Sequence, residues 1–226
     1  MIRRILTFDV DQGKTPEDAQ ALAGKVRALE GSLGELYPID GFLSASLKYG
    51  VMPGSLKYLG DALSERMIQD SRSHAIDFGF RDFETIPRFG KDKRHQEWAE
   101  RWYRGFRVNH TIFQFETQQQ GSNFGVERLL TFNLADGTPT YQVNDLRMRL
   151  QALNKNNEDV DSATLETLAG EVPGGLIKTQ RSHGIVLKFR NHGAASRVDL
   201  DPRYSALVSE LYAPTYRDQT FFQRAA

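Results

Sequence analysis

Large apolar side chains alternate with small or polar ones through His74-Ala75-Ile76-Asp77-Phe78-Gly79-Phe80, the period-two pattern of a strand with one buried face. The same alternation returns in His183-Gly184-Ile185-Val186-Leu187-Lys188-Phe189, so the chain carries this element twice, 109 positions apart (74 to 183). An earlier pair, Arg4–Val10 and Arg128–Leu134, is rich in β-branched and aromatic types and predicts two further strands, 124 positions apart (4 to 128). Each leads through a Gly and a Thr-Pro into a helix. Leu22, Val26 and Leu29 mark the buried stripe of the first helix, and Leu146, Leu150 and Leu153 mark that of the second.

The separation of 109 persists through Arg88/Arg197, Asp92/Asp201, Arg94/Arg203 and Tyr103/Tyr212, and on to a last strand whose Thr111, Phe113 and Gln114 recur as Thr220, Phe222 and Gln223. Asp201-Pro202 reads as a helix start, N-cap followed by N1, and Trp98 and Trp102 match Leu207 and Leu211 as a buried stripe. A register kept through several elements signals internal duplication. The drop from 124 to 109 predicts a 15-residue insertion in the first copy, within the loop-like residues 34–53 and without a counterpart in the second.

Each copy reads as strand, helix, second helix, strand, a short returning strand (about 85–89 and 196–200), helix, strand. With the extra helix removed this is the βαββαβ order of a ferredoxin-like fold. The expected fold class is α+β, a tandem duplication of a ferredoxin-like lobe forming a pseudo-dimer, with lobes at 1–120 and 121–226 joined by the polar stretch 117–123.

Composition narrows the function. Basic and acidic side chains are equal in number, 29 of each, so attraction to a polyanion would have to come from a local patch. With no Cys, disulfides, thiolate metal sites and cysteine nucleophiles are excluded, and a cytoplasmic location is expected. The N-terminus lacks a signal-peptide pattern and no apolar run reaches membrane-spanning length, so no membrane association is expected. Phosphate loops, dinucleotide fingerprints and metal-ligand spacings are absent, and neither metal nor cofactor is predicted.

The basic-aromatic segment is the main candidate surface. Arg88, Lys91, Lys93, Arg94, Arg101, Arg104 and Arg107 interleave with Trp98, Trp102, Tyr103 and Phe106, a combination that can grip a phosphate backbone and stack bases. Arg81 and Arg190 end the repeated strands and are expected on the open face of the sheet, either binding an anion or forming a pair such as Arg190 with Asp77. The expected function is therefore a non-enzymatic binding or assembly protein, with RNA or another phosphate-bearing ligand, or a protein assembly, as partner.

His74 and His183 support an alternative, one imidazole per copy acting as general base and general acid in metal-independent phosphodiester cleavage. That arrangement resembles the two-histidine phosphoesterases, though Ile76 and Ile185 stand where that family has Thr or Ser. The stretch Pro173–Gly184 in turn resembles the glycine-containing loop and Ser-rich strand of CRISPR repeat-RNA endonucleases, which implies RNA as a ligand class. The pleat places both histidines beside Ile and Phe on the helix-packed face, with Ser73 and Ser182 expected to point the other way. A third reading is a structural subunit of a larger particle.

Overall fold

The computed structural model describes residues 1–10, 15–51, 70–105, 107–117, 124–169, 180–212 and 216–225. Its first half runs β1 (Ile2–Val10), α1 (Pro16–Ser32), a 3-10 turn (Leu33–Leu36), β2 (Phe42–Tyr49), β3 (His74–Phe80), α2 (Thr85–Lys91), α3 (Lys93–Trp98) with a π-helical extension (Ala99–Tyr103), and β4 (Arg107–Glu116). The second half repeats the plan as β5 (Val126–Leu134), α4 (Thr140–Asn156), β6 (Val160–Thr167), β7 (His183–Phe189), α5 (His192–Asp199), α6 (Pro202–Ala206) with its π extension (Leu207–Tyr212), and β8 (Tyr216–Ala225).

Two four-stranded sheets result, ordered β2-β3-β1-β4 and β6-β7-β5-β8. Both have the strand order of a ferredoxin-like fold, so the α+β class and the duplication stand. The chain divides into two compact units. Unit 1 is Met1–Lys48, Ser73–Gln118 and Ala169–Gln180; unit 2 is Tyr49–Arg72, Gln119–Leu168 and Arg181–Ala226. Each unit thus draws one segment from the other half of the sequence.

Those borrowed segments cover a strand edge. In unit 1 the Ala169 N–H donates to the Gln114 carbonyl at 3.0 Å, and Gln180 bridges Ile112 in parallel. In unit 2 the Arg72 N–H donates to the Phe221 carbonyl at 2.9 Å, and Ser71 bridges Phe221 in parallel. Backbone groups of β4 and β8 that would otherwise face solvent are paired.

One face of each sheet is covered by helices. Ile2 and Phe8 of β1, Ile76, Phe78 and Phe80 of β3, Val26 and Leu29 of α1, and Ile86, Phe89 and Trp98 of α2 and α3 form the core of unit 1. Leu130 and Phe132, Ile185, Leu187 and Phe189, Leu146, Leu150 and Leu153, and Val198 do so in unit 2. Phe42, Phe80 and Phe89 pack ring against ring with centroids 5.0 to 5.6 Å apart. Fully burying each such side chain is worth about 2 kcal/mol, which makes this cluster a principal anchor of the helices on the sheet.

Three elements differ from the sequence expectation. Residues 34–53 were expected as an insertion without a counterpart, but they hold the 3-10 turn and β2, and β2 takes the same edge position in its sheet as β6. The second helix expected in each copy does not follow α4, where β6 comes next; in the first copy the residues after β2, 52–69, lie outside the described residues. The expected returning strands are helical: Thr85, Ile86 and Phe89 are buried at i, i+1 and i+4, and Asp82 accepts from the Thr85 backbone and hydroxyl at 2.8 and 2.7 Å. In the second copy Asn191 caps Ala194 at 2.9 Å, so His192 opens α5. The additional helix of each copy therefore follows the third strand of its unit.

Candidate functional site

A bulge ends the regular part of β1. Its pairing with β4 shifts between Thr7 and Asp9, and Asn109 opposite takes a left-handed conformation, φ 49°, which Asn tolerates better than most residues. Beside the bulge the Asp9 carboxylate accepts the Ser73 N–H at 3.0 Å and the Asn109 amide at 3.4 Å. Ser73 is thereby fixed just before β3 starts. Its hydroxyl lies 2.8 Å from Nδ1 of His74 and donates to the Phe8 carbonyl at 3.4 Å.

Unit 2 repeats this, atom for atom, with one exchange. The pairing of β5 with β8 shifts between Thr131 and Asn133, Asp218 has φ 52°, and Asn133 accepts the Ser182 N–H at 3.0 Å while donating to the Asp218 carboxylate at 3.3 Å. Ser182 lies 2.9 Å from Nδ1 of His183 and donates to the Phe132 carbonyl at 3.3 Å. Unit 1 thus has Asp on the central strand and Asn on the edge strand; unit 2 has them reversed.

Each serine hydroxyl lies between a carbonyl and Nδ1; where it donates to the carbonyl, Nδ1 carries the ring proton and Nε2 the lone pair. Each ring is also stacked on phenylalanine, His74 on Phe8 at 5.5 Å and His183 on Phe132 at 5.7 Å. Burial pushes His74 below the ordinary histidine range, and the Asp9 charge pulls the other way. His183 is pushed down by burial and further by Arg147. Burial thus favours the neutral form of both imidazoles, and at His74 the Asp9 carboxylate opposes it.

The expectation that Ser73 and Ser182 point away from the histidines is corrected. Pleat alternation applies within a strand, and both serines precede theirs. The helix-covered side was correctly assigned: Ile76, Phe78 and Phe80 are in the core while His74 sits half-buried at its rim. Each imidazole therefore stands against its own unit's phenylalanine.

A second polar centre lies inside each unit. In unit 2 the guanidinium of Arg128, on β5, is fully buried; it donates to Asp199 (Nη2 to Oδ2 at 2.9 Å), to Gln223 at 2.9 Å and to the Tyr204 hydroxyl at 3.3 Å, and it lies over the Phe189 ring at 5.2 Å. In unit 1 the corresponding Arg4 donates to Gln114 at 2.9 and 2.6 Å and lies over Phe80 at 5.8 Å. Burial pushes Arg4 down to about 10. These residues were not singled out from the sequence, although an Arg between Ile2, Leu6 and Phe8 on a core-facing register was a visible signal.

The basic-aromatic segment spans α2, α3 and the π-helical extension, with Phe106 outside the described residues. Trp98 and Tyr103 are buried, and the Trp98 indole donates to Ser32 at 2.8 Å. Arg88 pairs with Asp40 at 3.4 Å, Lys93 with Glu97 at 3.5 Å, Arg101 with Glu35 at 3.9 Å and Arg104 with Glu100 at 2.8 Å, while Arg94 donates to the Pro38 carbonyl. Lys91 is exposed on α2. Arg81 and Arg190 lie beyond the ends of β3 and β7: Arg81 pairs with Asp40 and Asp82, and Arg190 donates to the Glu158 carbonyl at 3.0 Å. Asp77, the expected partner of Arg190, is bound instead by Arg3 on the adjacent strand at 2.6 Å. Among the described residues no group of His, Asp or Glu is arranged to hold a metal ion, and no helix is long and apolar enough to cross a membrane.

No family model matches the chain. No curated protein matches it either. Solved structures do. An anthrone oxidase-like protein superimposes with a TM-score of 0.65 at 11% identity, covering 99% of this chain and 90% of its own. A provisionally assigned monooxygenase from Lactobacillus acidophilus NCFM gives a TM-score of 0.52 at 10% identity, covering 99% and 92%. A mutant chlorite dismutase from Candidatus Nitrospira defluvii gives 0.52 at 9% identity, covering 100% and 91%.

At these identities the likeness shows the fold, a duplicated ferredoxin-like plan of the monooxygenase and chlorite dismutase type. The expectation of a non-enzymatic RNA-binding or assembly protein is corrected: the fold neighbours are of enzyme type, Trp98 and Tyr103 are buried, and most of the basic side chains are paired with carboxylates. The particle-subunit alternative goes with it.

Proposed function

We propose that the chain is an oxidoreductase that acts on a small, acidic aromatic molecule and begins its reaction by proton abstraction at His74, with His183 as a second, weaker acceptor. The observation that carries this reading is the repeated His–Ser pair, in which a serine hydroxyl 2.8 or 2.9 Å from Nδ1 makes Nε2 the basic nitrogen. A neutral, orientationally fixed imidazole suits abstraction of an activated C–H or phenolic proton. The oxidase-like and monooxygenase-type neighbours support dioxygen as the electron acceptor. In the cytoplasm expected for a chain without Cys, no oxidising compartment is required.

For an anthrone the step balances as follows. The proton from the carbon opposite the carbonyl goes to Nε2, and the resulting anion reduces dioxygen. One oxygen atom enters as the new quinone carbonyl, and the other leaves as water with the two hydrogens of the reacting carbon. Oxygen uptake and quinone absorbance, measured with anthrone for the wild type, His74→Gln and His183→Gln, test the reading. Loss of roughly a hundredfold in rate for His74→Gln is expected, with a smaller loss for His183→Gln. Equal rates in all three proteins would sink it.

A further inference from the structure

The two units bury an arginine at the same place but compensate it differently. Arg4 and Arg128 begin equivalent stretches of β1 and β5, both donate to an equivalent glutamine (Gln114, Gln223), and both lie over an equivalent phenylalanine (Phe80, Phe189). Asp92 and Asp201 cap the following helices in the same way, each accepting a backbone N–H two residues on, at 2.8 and 2.9 Å. That equivalence places Gly90 where unit 2 has Asp199, and His95 where it has Tyr204. The carboxylate that neutralises Arg128 therefore has no counterpart in unit 1.

Arg4 is nonetheless just 6% exposed. Its Nε and Nη2 share one acceptor, Oε1 of Gln114. No acidic side chain among the described residues pairs with it. An isolated guanidinium in such surroundings costs several kcal/mol, a penalty that unit 2 removes with Asp199. Next to it, Nδ1 of His95 is buried without a hydrogen-bond partner, and the ring is held against Phe89 at a centroid distance of 4.1 Å. A cation without a carboxylate, and an imidazole whose Nδ1 has no hydrogen-bond partner, thus stand where unit 2 has a complete ion-pair network.

We infer that unit 1 binds a small carboxylate-type monoanion, such as formate, acetate or bicarbonate, at Arg4 and His95, in the position that the Asp199 side chain fills in unit 2. The guanidinium fork matches two coplanar oxygens, as it does with Asp199. A protonated oxygen of the ligand, as in bicarbonate, meets His95 Nδ1 as donor to acceptor. This site is separate from the His74 pair, and its test does not depend on any turnover.

Thermal unfolding of the full chain in rising sodium formate, against sodium chloride at equal ionic strength, reads the binding directly, because a ligand of the native state raises the midpoint by mass action. A saturating, formate-specific rise is expected. Gly90→Asp supplies an internal carboxylate, and since Gly90 has no positive φ the substitution carries no backbone strain. It is expected to unfold at a higher temperature than the wild type without formate and to lose the formate response by roughly tenfold or more. Line broadening of 13C-formate by the wild type, reversed by acetate, gives the same answer without a variant. The inference is overturned if formate acts no differently from chloride and its line stays sharp, or if a folded Gly90→Asp protein responds to formate as the wild type does.

Discussion

Asp199→Ala removes the carboxylate from a guanidinium that is itself fully buried. Arg128 then keeps Gln223 at 2.9 Å and Tyr204 at 3.3 Å but loses the carboxylate whose two oxygens took Nη1 and Nη2. Breaking a buried pair from one side costs about 3–5 kcal/mol, because the remaining ion stays desolvated and unpaired. In a chain of this size each kcal/mol moves the unfolding midpoint by about 2–4 °C, so a fall on the order of 10 °C is expected. The double variant Arg128→Met/Asp199→Ala removes both charges and should regain most of that loss. Urea and thermal unfolding followed by circular dichroism, on wild type, single and double variants, provide the assay. A single variant that loses less than about 1 kcal/mol, or a double variant no more stable than the single, would refute the reasoning.

Two further predictions concern protons. His95 is held neutral down to about 4, chiefly by burial and then by Arg4 and Arg104, against an ordinary 6.5. Between those values the unfolded chain binds a proton that the folded chain refuses, so stability falls as the pH drops from 6.5 towards 4, by up to roughly 3 kcal/mol. Urea midpoints at pH 7 and 4.5 should therefore fall less steeply in His95→Gln than in the wild type; equal slopes would contradict it. At the rim, Asp9→Asn should lower the pKa of His74 further, while Asn133→Asp should raise that of His183, since each changes the charge beside its ring. Proton NMR titration of the imidazole signals reads both shifts, and an unmoved His74 would remove Asp9 from the account.

The duplication was legible because strands β1, β3, β5 and β7 are central or nearly so, and their buried faces keep a strict pattern. Edge strands were harder. In β2 only Phe42 and Leu47 are buried, five apart and so outside any period-two pattern, and β6 carries an irregularity between Val160 and Ser162 that breaks the alternation. Thr85-Ile86-Pro87-Arg88-Phe89 has the composition of a strand, and its helical form comes from Asp82 and from the phenylalanine cluster it packs against.

At the candidate site the histidines were visible and their serines were misdirected, because the bulge at Asp9 and the bend at Ser73 are tertiary features. The missing carboxylate opposite Arg4 was present in the sequence as Gly90 against Asp199, but it acquires meaning once both arginines are known to be buried. The basic segment misled for a related reason. Its charges read as a surface until Asp40, Glu35 and Glu100 are placed beside them.

The pH dependence of anthrone oxidation, set beside the NMR titration of His74 in the same protein, tests the central claim most directly. Proton abstraction by the neutral imidazole predicts a rate that rises with pH through an inflection at the His74 pKa, below the ordinary histidine value, and an inflection that moves down with it in Asp9→Asn. A rate whose inflection ignores the His74 titration, or that survives His74→Gln unchanged, would contradict it.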